Sequence, residues 1–148
     1  MPHQHFVSTL QPRIFTLLLA ATLVSVGCAG DCPEGSPQID AFTAAATSVK
    51  AGDSVSLTLK VSNFMMDGHD GDGHDHSHDS GCDNSGHAHI YLGAAGENLL
   101  TMTMEENFSV IIPSDTKPGS YTLVAQLQNN DHKPLSPSVD ASVTIEVN

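Results

Sequence analysis

Apolar and polar residues alternate strictly in three stretches of the chain. In "SVSLTLKV", Val55, Leu57, Leu59 and Val61 fall on one side, and Ser54, Ser56, Thr58 and Lys60 on the other. A period of two marks a half-buried strand, because successive side chains point to opposite faces of a sheet. "YTLVAQL" repeats the pattern through Tyr121, Leu123, Ala125 and Leu127, and "VDASVTIEV" through Val139, Ala141, Val143, Ile145 and Val147. Less regular strands are predicted over 39–45, 87–92, 99–104 and 108–112. The runs "KAGD", "GAAGEN", "PSDTKPG" and "NNDHKPLSP" supply the turns between them. No stretch beyond residue 28 carries a helical stripe. About seven short strands joined by turns predict an all-β fold, an antiparallel β-sandwich spanning residues 39–148.

"PSDTKPGSYTL" resembles the corner before the sixth strand of immunoglobulin-like domains, where a proline-glycine turn leads into a strand bearing a tyrosine. An immunoglobulin-like sandwich is therefore expected, with a cupredoxin-like Greek key as the alternative. In the immunoglobulin arrangement, the connection between the second and third strands emerges at the same end as that between the sixth and seventh. The turn between the fourth and fifth strands, with Met104, Glu105 and Glu106, is expected at that end too.

The N-terminal segment sets the compartment. "IFTLLLAATLVSV", Ile14 to Val26, is apolar but shorter than the roughly 20 residues of a membrane span, and has the length of a signal-peptide core. It ends at "SVGC", which resembles the lipobox of bacterial lipoproteins, although Ser25 stands where leucine is usual. That resemblance implies a signal peptide over 1–27, lipidation of Cys28, and a flexible tether over 28–38. It implies a place in the bacterial cell envelope, lipid-anchored in the membrane. Ala29 after the cysteine favours the outer membrane, facing the periplasm or the cell surface. A plain secretory signal is the alternative. With Cys28 lipidated, Cys32 and Cys82 remain as a candidate disulfide in an oxidising compartment, or as thiol ligands.

Removing residues 1–27 leaves four lysines and no arginine against 17 acidic residues. A chain this acidic is repelled by phosphate backbones, which excludes nucleic acid as a partner. Lack of arginine also removes the usual bidentate clamp for phosphates and carboxylates.

The long connection over 67–86 is dense in histidine and aspartate, and is expected to be a disordered insertion. His69, His74, His76 and His78 alternate there with carboxylates, a composition suited to several weak, exchangeable metal sites. A merely solvated spacer is the bland alternative. The pattern is not a calcium loop, because Gly81 stands at the twelfth position from Asp70, where a bidentate glutamate is required.

The end of this stretch is more specific. In "GHAHIYL", His87 and His89 are two apart on a strand, so both rings leave one face, while Ile90 and Leu92 face the core. His132, in the connection after the sixth strand, is expected to join them at one tip of the sandwich. Neutral imidazoles suit copper or zinc, and protonation should weaken the site below about pH 6. Met102 and Met104 could add thioether sulfur, or could simply pack along an edge. Asp131 could orient the His132 ring or build the turn.

"GHAHIYL", "PGSYTLVAQLQNNDHKPL" and "VTIEV" resemble a family of small exported bacterial β-sandwich proteins with recurring G-H-x-H and N-D-H-x-P motifs. The resemblance implies that His87, His89 and His132 are the shared feature and that the His/Asp-rich insertion is an elaboration. It carries no activity with it. The H-x-H pair also looks superficially like the first ligands of copper–zinc superoxide dismutase, but residues 28–148 hold no arginine to guide an anion, and too few histidines lie outside the loop to match that enzyme's two-metal set. No serine or cysteine hydrolase motif is present.

The expected function is therefore metal binding by a lipid-anchored envelope protein, for buffering, resistance or delivery, without enzymatic activity. A non-enzymatic immunoglobulin-like binding or structural module is the alternative. A small metalloenzyme with an open metal position is the third.

Overall fold

The computed structural model describes residues 32–67 and 82–148. Cys28 and the loop histidines His69, His74, His76 and His78 lie outside these residues. Among the described residues nine strands form: β1 (Gln38–Ala44), β2 (Ser48–Val49), β3 (Ser54–Ser62), β4 (Met65–Met66), β5 (Ser85–Leu92), β6 (Leu99–Thr103), β7 (Asn107–Ile111), β8 (Gly119–Asn129) and β9 (Asp140–Val147). There is no helix among the described residues. Seven longer strands match the seven read from the alternation. The two-residue β2 and β4 were not expected; each pairs in parallel, with β9 and β5 respectively.

The strands form two sheets, β1-β3-β7 and β2-β9-β8-β5-β4, with β6 also paired to β5. Leaving out β2 and β4, the first, second and fifth strands make one sheet, and the third, fourth, sixth and seventh the other. That is the division of an immunoglobulin-like sandwich. The inward positions of the two sheets meet in one core: Val55, Leu57, Leu59 and Val110 from the smaller, Ile90, Leu123, Ala125, Leu127 and Ile145 from the larger. Burying these aliphatic side chains supplies the main drive to fold, of order 1.5–3 kcal/mol for each valine, leucine and isoleucine. The corner expected before the sixth strand is present, with the Tyr121 hydroxyl donating to the Lys117 carbonyl at 3.0 Å.

Two expected boundaries change. Ser85 and Gly86 belong to β5, and Asp67 N–H donates to the Gly86 carbonyl at 2.7 Å, so both flanks of the long insertion are part of the sheet. Cys32 and Cys82 form a disulfide. Asn84 Nδ2 donates to the Gly35 carbonyl at 2.8 Å and Asn63 Nδ2 to that of Ser36 at 3.1 Å. Residues 32–37, expected to be flexible tether, are thus fastened to the sandwich.

Candidate metal centre

Strand β5 is buried at every position. Its inner residues Ala88, Ile90 and Leu92 enter the core, as expected from alternation. His87, His89 and Tyr91 leave the opposite face, yet are only 7, 8 and 6 % exposed. An outer sheet face is usually wet, so this burial needs a cause. Part of it lies in the neighbouring strand: Gln128 and Gln126 of β8 stand opposite His87 and His89, and both glutamines are buried.

The chain after β8 folds back over the same sheet. His132 N–H donates to the Asn129 carbonyl at 2.9 Å, Asn129 N–H to the Lys133 carbonyl at 2.8 Å, and Pro134 bridges to Gln128. His132 closes the turn in the left-handed region, at φ 60°, where side chains other than glycine, asparagine, aspartate and histidine are rare. With its amide turned toward the loop, Gln128 donates to the His132 carbonyl at 3.2 Å. The buried glutamine thereby fixes the loop residue's backbone to the sheet.

Three ring nitrogens converge as a result. His87 Nε2 lies 3.1 Å from His89 Nε2 and 3.2 Å from His132 Nδ1, and His132 Nδ1 lies 3.5 Å from His89 Nε2. The three residues form a group able to hold a metal ion. The rings meet on the outer face of the larger sheet, near the end where the two connections emerge, rather than at the loop tip. Nitrogens about 2.05 Å from one ion are about 3.3 Å apart in a tetrahedral set and about 2.9 Å apart in an octahedral one. The observed edges match the tetrahedral spacing.

Burial drives the His87 imidazole down from its ordinary value to about 4, and repulsion from His89 and His132 adds to the effect. His89 is lowered too, by burial first and by His132 second. A protonated His87 or His89 ring would be a poorly solvated cation. Neutral rings have lone pairs, which is what coordination needs. Each neutral ring nitrogen is either an N–H or a lone pair, so three of them in a triangle leave at least one like pair facing each other, a mismatch that a cation held by three lone pairs removes.

Around the cluster, His89 Nδ1 is 3.0 Å from the Tyr91 hydroxyl. Burial raises the Tyr91 pKa above its ordinary value, and the Asp140 carboxylate adds to the rise. Ser138 Oγ donates to Asp140 at 2.6 Å and lies 3.2 Å from the Gln126 amide. Met102 is the cross-strand partner of His89. Both Met102 and Met104 are about half exposed, so neither packs in the core. Asp131 accepts from Lys133 N–H at 3.2 Å and pairs with the Lys133 ammonium, so it builds the turn.

Tyr91, Gln126 and Gln128 were missed by sequence reasoning. H-x-H-x-Y places Tyr91 on the histidine face, a signal that was there to read. The glutamines needed the β5–β8 register. No protein-family model matches the chain, and no curated protein does either.

Proposed function

We propose that this protein binds a transition-metal ion, copper or zinc, through His87, His89 and His132, as a lipid-anchored component of the bacterial cell envelope. The observation that carries the metal reading is the triangle of ring nitrogens with 3.1–3.5 Å edges. The tetrahedral spacing and the neutral state of the buried rings favour ions that accept four nitrogen-rich ligands, among which zinc and copper are the ordinary ones. The sequence supports the envelope location, through the apolar run that ends at Cys28. The Cys32–Cys82 disulfide is of the kind that persists outside the cytosol.

In this reading the three-histidine site holds one ion, and the His/Asp-rich insertion collects further ions more weakly, for buffering, resistance or delivery. The role is binding rather than catalysis. Calorimetric titration with Zn(II) and Cu(II) tests it, on protein free of affinity-tag histidines. Wild type should take up one tightly bound ion, and His89→Ala should lose that site. Replacing residues 68–81 by a short Gly/Ser linker should keep it. A wild type that binds neither metal at micromolar concentration sinks the reading and leaves an immunoglobulin-like binding module.

A further inference from the structure

Building on the metal-binding reading, we propose that Tyr91 is a positioning residue that prepares His89 to coordinate by accepting its Nδ1 hydrogen. Neutral imidazole has one ring hydrogen and two nitrogens to hold it. The nitrogen of His89 that faces His87 and His132 is Nε2, at 3.1 and 3.5 Å. That nitrogen presents a lone pair to an ion only when the hydrogen sits on Nδ1. Nδ1 in turn lies 3.0 Å from the Tyr91 hydroxyl. Among the described residues, His89 alone of the three histidines has a side-chain partner for its outward nitrogen.

A hydroxyl can serve both forms of the ring, because it donates and accepts. Without metal, the Tyr91 O–H donates to Nδ1, and the ring hydrogen stays on Nε2 to bridge the lone pairs of the other rings. With metal, the hydrogen sits on Nδ1, Nε2 faces the ion, and the hydroxyl accepts. The proton balance closes within the ring and solvent, and no redox step is involved. Both residues are buried, at 8 and 6 % exposure, so water is a poor substitute for the hydroxyl. In a phenylalanine variant, the Nδ1–H form has no acceptor. The ring then keeps its hydrogen on Nε2, where it points at the ion's position.

Removing such a supporting partner typically weakens metal binding by 10–100-fold. The test titrates Zn(II) into wild type and Tyr91→Phe against a competing chelator. Two-bond nitrogen–proton NMR of wild-type His89, with and without zinc, provides a readout that needs no variant. The proposal expects zinc to leave the His89 hydrogen on Nδ1, and Tyr91→Phe to bind 10–100-fold more weakly. Equal affinity in the two proteins, or zinc-loaded wild type with its His89 hydrogen on Nε2, overturns the role of Tyr91 alone. A wild type that binds no zinc overturns the metal reading along with it.

Discussion

The Nδ1 atom of His132 lies 3.2 Å from Nε2 of His87, across 45 residues of sequence. The contact depends on β8 lying antiparallel beside β5, with Asn129 opposite Gly86. The turn after β8 then returns over the first half of β5, whatever the composition of the long insertion. The ring cluster is therefore a product of the sheet, and its properties should follow the sheet's integrity.

Acid should loosen the metal-free protein at a pH set by these rings. Folding holds His87 near 4 and lowers His89, whereas both titrate near about 6.5 in the unfolded chain. Below that pH the unfolded state takes up more protons than the folded one, so stability falls as pH falls. The contribution is complete above about pH 6.5 and is lost on the way down to about 4, where His87 itself becomes protonated. Urea midpoints measured across this window should decline in wild type and decline less in a His87→Gln/His89→Gln variant. Equal declines would show that other groups control the acid response. The same shifts move proton competition for metal below the pH 6 expected of unperturbed imidazoles, so zinc affinity at pH 6 should stay within about tenfold of its value at pH 7.5.

Gly86 holds the start of β5 against β8. It sits at φ +153°, and a Cβ there would lie 2.0 Å from the Gln128 carbonyl oxygen. This gives a physical reason for the glycine in G-H-x-H: the strand backbone must approach its neighbour closely just before the first ligand. Gly86→Ala should cost about 3 kcal/mol in urea unfolding, from strain plus displacement of the two backbones. The ligand His87 is the next residue, so metal affinity should fall as well. A variant of wild-type stability would mean that the two strands can part locally without cost.

The disulfide should contribute stability independently of metal. It closes a sequence separation of 50 residues, for which loss of unfolded-chain entropy predicts about 4 kcal/mol. It joins the segment before β1 to the residue that enters the turn before β5. The Cys32→Ser/Cys82→Ser variant should therefore unfold at markedly lower urea, by about 2–4 kcal/mol. If the variant folds, it should still bind one zinc ion, because no ligand is lost. Loss of binding in a folded variant would show that the bridge also holds β5 in place.

Much of the sandwich was legible because β3, β8 and β9 alternate cleanly, and a period of two has only one structural reading. The two-residue β2 and β4 carry no period, since a pair of residues in a parallel bridge is too short to show one. His87 and His89 were legible as same-face neighbours, and the fold class then brought His132 to the same end. The burial of His87 and His89 was not legible. It depends on which residues of β8 lie opposite them and on the course of the chain after Asn129, both set by long-range pairing. Asp131 had two readings in sequence, and only its pairing with Lys133 separates them.

His132 offers the sharpest separation of function from stability. Its backbone stands at φ 60°, a conformation in which a Cβ is unfavourable and glycine is at ease. The turn needs a left-handed residue there, but nothing in the turn itself needs an imidazole. The ring is explained by where it points, toward His87 and His89. His132→Gly should relieve the backbone and remove one of the crowded nitrogens. The metal-free variant should therefore be as stable as wild type, or more stable by up to about 1 kcal/mol. Its zinc affinity should nevertheless drop by at least about 100-fold, because two nitrogens chelate far less well than three. Denaturation and chelator competition on the same preparation read both quantities. A variant that loses stability while keeping its affinity would make His132 a structural turn residue and leave the H-x-H pair to bind alone.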